Sequence, residues 1–311
     1  MIYFIIILAV LFLIPVLCYI SKAENKAIRK EKTKTFYWSS YPIIKAKKPV
    51  NEEEKGDTFI TSLSLLDPFL TQISSEHEVE KAYAGAYAVV DIVQKSDDQK
   101  VAVKRNRSMR RRREITLHEA AILATLNGKA GAPKLICTDP DKGIIVMEYL
   151  GPNTLYKVIR SRRQRDITWL KILYSCADKL QELHQAGFVH ADLNIKNVMI
   201  TYKQGNPMAH IIDFGLARKI GQTGQFGPVP NWEKKIQRKP WYAAEMYRGE
   251  VLDELTDVVA LAQIVRHVLD QMQRPPSSLR SLANLGMEIN RENRPPVAEF
   301  LTVLEDILIG E

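Results

Sequence analysis

A chain of 311 residues with 46% hydrophobic content can bury a sizeable core, which excludes an intrinsically disordered protein and leaves one large domain or two lobes with appendages. Its three cysteines, Cys18, Cys137 and Cys176, exclude a disulfide framework and fit a reducing compartment. The formal net charge of +8 gathers in residues 22–55, in KRNRSMRRRR (104–113) and in KVIRSRRQR (157–165), a distribution that favours acidic partners such as phosphates or anionic lipid.

The chain opens with MIYFIIILAVLFLIPVLCYI, residues 1–20, a run without charge that is just long enough to cross a bilayer as a helix, with Tyr3 and Tyr19 placed as interfacial anchors. A cleaved signal peptide is the rival. Against it, no positive charge precedes the run, the run exceeds a usual signal core, and no small-x-small site follows closely. The residues before Cys18 also lack the small side chain expected ahead of a lipidated cysteine. The reading is one uncleaved transmembrane helix, and Lys22, Lys26, Arg29, Lys30, Lys32 and Lys34 then assign everything after residue 21 to the cytoplasmic side. Residues 21–57 are polar and basic, a juxtamembrane linker in which TFYWSSYPII is suited to the headgroup level. From residue 58, FITSLSLLDPFLTQI has the apolar spacing of an extra helix packed on the domain that follows.

Residues 86–104 alternate as strands around a polar turn, AYAVVDIV then QKSDDQK then VAVK, a hairpin ending at Lys104. EITLHEAAILATLNG (114–128) spaces Ile115, Leu117, Ile122, Leu123 and Leu126 as a helix and closes on Asn-Gly, a stop signal. KLICTD and GIIVMEYL predict two further strands. Beyond residue 152 helices dominate, the longest in WLKILYSCADKLQELHQAG. The pattern predicts an α+β chain, with a small strand-rich lobe ahead of a larger helical one.

Phosphoryl transfer from a nucleotide needs a cation on the phosphates, an acid to fix that cation, oxygen ligands for a metal, and a carboxylate near the attacking hydroxyl. Lys104 ends VAVK and Glu119 lies in TLHEAAIL, so an ion pair between them would aim the ammonium at the phosphates. Asp192 sits in HADLNIKN with Asn197 five residues on, and Asp213 opens DFG.

With these segments in this order the chain resembles the eukaryotic-type protein kinase superfamily over roughly residues 75–308. VAVK, TLHEAAIL, VMEYL, HADLNIKN and IIDFGLAR resemble the family's phosphate lysine, helix glutamate, hinge, catalytic loop and metal-binding triplet. WYAAEMYRG, LTDVVALAQIV and NRENRPP resemble the end of the activation segment, the buried helix whose aspartate anchors the catalytic loop, and the start of the last helix. The resemblance implies a two-lobed kinase fold: residues 1–20 as anchor, 21–57 as linker, 58–150 as the small lobe with its extra helix, and 151–311 as the large lobe. It implies ATP and Mg²⁺ as cofactors, a Glu245–Arg294 ion pair, and Asp257 accepting backbone hydrogen bonds from the catalytic loop. Lys104 and Glu119 would serve the phosphates, Asp192 the acceptor hydroxyl, and Asn197 and Asp213 the metal. The nucleotide would lie among Ala84, Gly85, Val89, Ala102, Lys104, Met147, Glu148 and Leu150, its adenine against the hinge backbone from Glu148 to Leu150. His190 is implied to be structural.

Several positions depart from the family pattern. The glycine-rich loop falls on AYAGAYAV (82–89), where Ala82, Ala84 and Tyr87 replace glycines and Gly85 alone remains, implying a stiffer lid. Ala191 stands where many relatives carry an arginine that pairs with a phosphorylated activation segment, and that segment offers chiefly Thr223 and Tyr242 as hydroxyls. Activity independent of activation-segment phosphorylation is therefore expected. Asn194 replaces a usual lysine, and Lys196 either approaches the transferring phosphate or is solvent-facing. The span from Glu245 to Arg294 is short, so the intervening helices should be reduced.

The six arginines after Lys104 repel one another, and solvated charge, an anionic membrane face and nucleic acid are ranked in that order as their surroundings. No aromatic interleaving supports base stacking, which makes nucleic acid the least favoured partner. The leading reading is a membrane-anchored protein kinase acting on serine or threonine of a protein substrate, with an anionic membrane surface as a further partner. A kinase for a small, sugar or lipid acceptor is the second, and a pseudokinase scaffold the third.

Overall fold

The computed structural model describes residues 79–310, apart from 85–86, 97–98, 108–109 and 162–163. The anchor, the linker and the extra helix read from the sequence lie outside the described residues, as does Gly85. Among the described residues no helix is long and apolar enough to cross a membrane.

The strand-rich part is one antiparallel sheet of β1 (Val79–Ala84), β2 (Ala88–Ser96), β3 (Gln99–Asn106), β4 (Leu135–Asp139) and β5 (Ile144–Glu148), in the order β1-β2-β3-β5-β4. The two-residue period of a strand sorts its side chains into two layers. Val101 and Val103 of β3 join Val93, Cys137, Ile144 and Val146 on the outer side. Ala102 joins Ile92, Ile145 and Met147 in the main core, and Lys104 shares its face. β3 runs two residues past Lys104, because Arg105 and Asn106 still pair with Val89 and Ala88.

α1 (Arg112–Leu126) buries Thr116, Glu119, Ala120, Leu123 and Leu126, a stripe at helical spacing. It stops as its Asn-Gly signal predicts: Asn127 turns left-handed at φ 44° and its N–H donates to Leu123 O, and Gly128 follows at φ 89°. The helix begins earlier than expected and takes Arg112 and Arg113 into its first turn. The Arg112 stem fills the space beside Gly143, where an added Cβ would meet its Cγ and Cδ at 2.5 Å.

In the helical part, α2 (Leu155–Ser161) leads into α3 (Asp166–Gln185), which buries Trp169, Leu170, Leu173, Cys176, Ala177, Leu180 and Leu183 along one face. After the short strand β6 (Phe188–Val189), the hairpin of β7 (Val198–Lys203) and β8 (Asn206–Ile211) packs on α3; β9 (Arg218–Lys219) pairs with β6. Two short helices, α4 (Trp232–Arg238) and α5 (Ala244–Arg248), precede α6 (Glu254–Leu269). α6 starts on a full capping box: Asp253 accepts from Leu255 N–H and Thr256 Oγ1 accepts from Asp253 N–H. Between α6 and Arg294 stand only α7 (Ser277–Gly286) and one 3₁₀ turn, the reduction expected from the short span; α8 (Val297–Gly310) then packs back on α3. Both described thiols are buried, Cys137 in β4 and Cys176 in α3, and burial pushes the Cys176 thiol up to about 12.

Candidate active site

The first half of the site is an ion cluster between the sheet and the segment after β8. Lys104 Nζ donates to Glu119 Oε1 and Oε2 at 2.6 and 2.7 Å and to Asp213 Oδ1 at 2.7 Å. Lys104 and Glu119 are buried, so their desolvation must be repaid by these charge-assisted bonds. Asp213 differs in keeping 47% of its side chain exposed. Lys104 holds the Asp213 carboxyl below the usual range, burial pushes Glu119 up, and the two carboxylates hold the Lys104 ammonium firmly protonated. One cation faces two acids, so the cluster retains negative charge at its exposed end.

The second half is the loop that joins β6 to β7. Asp257, in the first turn of α6, grips it by accepting His190 N–H at 2.7 Å and Ala191 N–H at 2.9 Å, with His184 Nε2 at 3.0 Å on the same carboxylate. That grip holds Ala191 at φ 59°, a left-handed conformation costly for a residue with a Cβ. His190 Nδ1 accepts Asp192 N–H and its Nε2–H donates to Ile212 O, so the ring ties the two halves together, the structural role implied for it. Asn197 Nδ2 donates to Asp192 O at 2.9 Å and approaches Asp192 Oδ2 at 3.4 Å. The β7–β8 register, Val198 opposite Ile211, extends through Ile212 N–H to Asn197 O, which brings Asn197 beside Asp213.

Two contacts to Asp192 were not legible in the sequence. Trp241 Nε1–H donates to Asp192 Oδ1 at 3.1 Å, and Tyr242 lies beside the same carboxylate. Burial pushes Asp192 above the usual carboxylate range, against the pull of these two neighbours. Tyr242 is buried, so of the two activation-segment hydroxyls Thr223 alone is exposed. Ala191 is buried in a cluster with Val189, Val229, Tyr242, Met246 and Leu252. Asn194 bridges Asp192 O and Lys196 N–H, shaping the loop in place of a lysine.

Below the site, Arg294 uses every guanidinium donor. It binds Glu245 through two bonds of 2.6 and 3.0 Å and also reaches the carbonyls of Leu255, Glu288 and Ile289. The Glu245–Arg294 and Asp257 expectations are both met in this geometry.

The expected nucleotide residues sit around the sheet. Ala102 of β3 and Met147 of β5 are register partners on one face, and Val89 of β2 pairs with Ala84 of β1. In the expected hinge the Glu148 N–H donates to Lys134 O at 2.9 Å, because β5 continues its ladder to that residue. In the arginine run Arg105 meets Asp91 at 2.9 Å, Arg113 meets Asp141 at 3.3 Å and Arg111 pairs with Glu114, so acids of the protein itself partner three of its arginines.

Among the described residues no group of three His, Cys, Asp or Glu side chains gathers as a metal cage. The donors present still fit Mg²⁺, which takes one or two protein oxygens and completes its shell with phosphate and water. Asp213 offers an exposed carboxylate with unbalanced charge, and Asn197, its amide nitrogen turned to Asp192, offers its carboxamide oxygen.

A β-sheet with one helix set on a helical lobe, a buried Lys–Glu pair reaching an Asp at their junction, and an Asp–Asn loop gripped from the core define the two-lobed kinase architecture. The protein kinase domain family matches residues 78–293, and the chain belongs to that family. Dual specificity testis-specific protein kinase 1 from Homo sapiens is 25% identical over 246 residues, 74% of this chain and 36% of that protein. Serine/threonine-protein kinase PknB from Mycolicibacterium smegmatis is 30% identical over 128 residues, 40% of this chain and 19% of the relative. A probable serine/threonine-protein kinase from Streptomyces coelicolor is 29% identical over 133 residues, 42% and 19% of the two chains. The chain spans about a third of the length of the testis-specific kinase 1 relatives it matches.

Proposed function

We propose that this chain is an ATP- and Mg²⁺-dependent protein kinase that transfers the γ-phosphoryl group to a serine or threonine hydroxyl, held at a membrane by residues 1–20. The observation that carries the reading is the Lys104 ammonium bridging Glu119 and the exposed Asp213, across from an Asp192 carboxylate ordered by Trp241 and Asn197. Lys104, fixed by Glu119, binds the phosphates that stay with the leaving nucleotide. Asn197 and Asp213 would hold Mg²⁺, which would supply positive charge against the phosphate oxygens. Ala102, Met147 and Val89 enclose the adenine, and the Glu148 carbonyl and Leu150 backbone pair with its edge. Asp192 orients the acceptor hydroxyl and takes its proton late, as the new O–P bond forms and the bond to the departing ADP breaks. The serine/threonine choice is supported by two of the relatives, which are described as serine/threonine kinases. The uncharged first twenty residues and the lysines after them support the anchor.

The test is the full chain in lipid nanodiscs, incubated with γ-labelled ATP and Mg²⁺ beside Asp192→Ala and Lys104→Ala. Label on serine or threonine of the chain or of added protein, lost in both variants, is expected. Bound nucleotide with no labelled protein would move the assignment to a small acceptor, and no nucleotide binding would leave a scaffold.

A further inference from the structure

The basic side chains beside the sheet and those beside the Asp192 loop have different fates. Arg105, Arg111 and Arg113 find carboxylates, whereas Lys157, Arg160 and Lys196 meet none among the described residues and rest on tyrosine rings instead. Lys196 Nζ lies 5.5 Å from the centroid of the Tyr156 ring, and the Arg160 guanidinium lies 5.7 Å from the same ring while Arg160 donates to the Tyr156 hydroxyl at 2.9 Å. Lys157 Nζ lies 4.8 Å from the Tyr83 ring and donates to Pro152 O at 2.6 Å. Cation–ring contacts hold these groups in place without cancelling their charge.

Their position follows from the backbone. Tyr156 N–H donates to Ile195 O at 2.7 Å and Ile200 N–H to Asn153 O at 2.8 Å, which binds the start of α2 to the loop that carries Asp192. Lys196 is four residues from Asp192 on that loop, and Tyr83 lies on β1 just before the glycine-loop turn. Two elements, α2 and the loop that carries Asp192, thus bring uncancelled positive charge to the Asp192 side of the cleft, with Arg160 and Lys196 exposed.

We infer that Lys157, Arg160 and Lys196 form an acceptor-recognition rim that selects a peptide carrying acidic side chains beside its phosphorylated hydroxyl. The inference rests on the proposed protein-kinase reading and specifies its substrate class. Opposite charge draws an acidic segment onto the rim and seats its hydroxyl at Asp192, and like charge turns away a basic segment. The tyrosine faces supply apolar area under the peptide.

Two measurements on the full chain test it. In the first, serine peptides with acidic, neutral or basic flanks are compared as acceptors; the acidic peptide should show a KM about tenfold below the basic one, rising with salt. Lys196→Glu and Arg160→Glu should each raise the acidic-peptide KM several-fold and leave kcat and the neutral-peptide KM within about twofold. Equal use of the three peptides, or no response to either reversal, overturns the rim while leaving the kinase reading intact. In the second, fluorescence anisotropy follows a labelled acidic peptide whose serine is replaced by alanine, so that no turnover is needed. Binding that weakens in both reversals upholds the rim even if no peptide is phosphorylated, an outcome that would overturn the kinase reading alone. Saturable binding of glycerol phosphate at these residues with no peptide binding would overturn the peptide and assign the rim to a small anionic acceptor.

Discussion

The Lys104–Glu119 and Arg294–Glu245 pairs have the same shortest separation, 2.6 Å, and all four residues are buried, yet they end differently. Arg294 spends its remaining donors on three carbonyls of the large lobe, and nothing of the pair meets solvent. Lys104 instead continues to Asp213, whose carboxylate is half exposed at the mouth of the site. Neither helix that carries the acid has a side-chain cap, α1 with Glu119 or α5 with Glu245, but α5 is followed by the core helix α6, which a capping box seals. A buried ion pair that closes on itself fixes a fold. One that ends in a free acid is set up to meet a ligand.

The sharpest way to separate the two is Lys104→Met, with phosphoryl transfer and melting measured on the same sample. Transfer should fall by about 10³-fold or more, since the phosphates lose their cation, while the melting temperature drops by only a few degrees because Asp213 rehydrates and Glu119 takes up a proton. Asp213 is ionised below its ordinary range only while Lys104 is beside it. The stability that this contact adds is therefore full above about pH 4 and disappears as the pH falls through the depressed Asp213 value, so wild type and variant should converge in melting temperature there.

Arg294→Met should reverse the pattern. Leaving Glu245 buried without its partner costs about 3–5 kcal/mol, and the melting temperature should fall by roughly 10 °C with the rate per folded molecule little changed. A variant that melts normally but transfers no phosphate would break the comparison. Trp241→Phe is expected to cost about tenfold in rate, one hydrogen bond to the carboxylate that receives the proton. Losing that donor pushes the Asp192 carboxyl higher still, so the acid limb of the pH–rate profile should move to higher pH; an unmoved limb would show that the indole bond does not steer Asp192. The smallest effect is Thr223→Ala, for which an unchanged rate is expected and a collapse would mean that activation-segment phosphorylation is required after all.

Legibility in the sequence followed the range of each interaction. Lys104 and Glu119 could be placed because strand and helix periodicity positions them, and Asp257 and Arg294 because the segments that hold them resemble the family's. Trp241 could not, since an indole 49 residues from Asp192 reads as packing until the segment folds back over the loop. The acids that partner Arg105, Arg111 and Arg113 were hidden for a similar reason: they come from β2, α1 and the β4–β5 turn, and only the sheet brings the first and last of these near. Lys157, Arg160 and Lys196 look like ordinary surface charge until two tyrosines from different elements are placed beneath them. The α1 start was misjudged because four consecutive arginines read as loop, although the Arg112 stem has apolar packing to gain beside Gly143.

The two buried cysteines give this protein a pair of internal clocks. Cys137 lies in the outer layer of the sheet and Cys176 in the core of the helical lobe, so neither thiol reacts with an alkylating reagent until its own lobe opens. With Cys18 replaced by serine, pulse alkylation followed by peptide mapping would time the two openings separately. The sheet, held by an uncapped helix and a site-facing ion pair, should release Cys137 first, and nucleotide with Mg²⁺ should delay that release more than the release of Cys176.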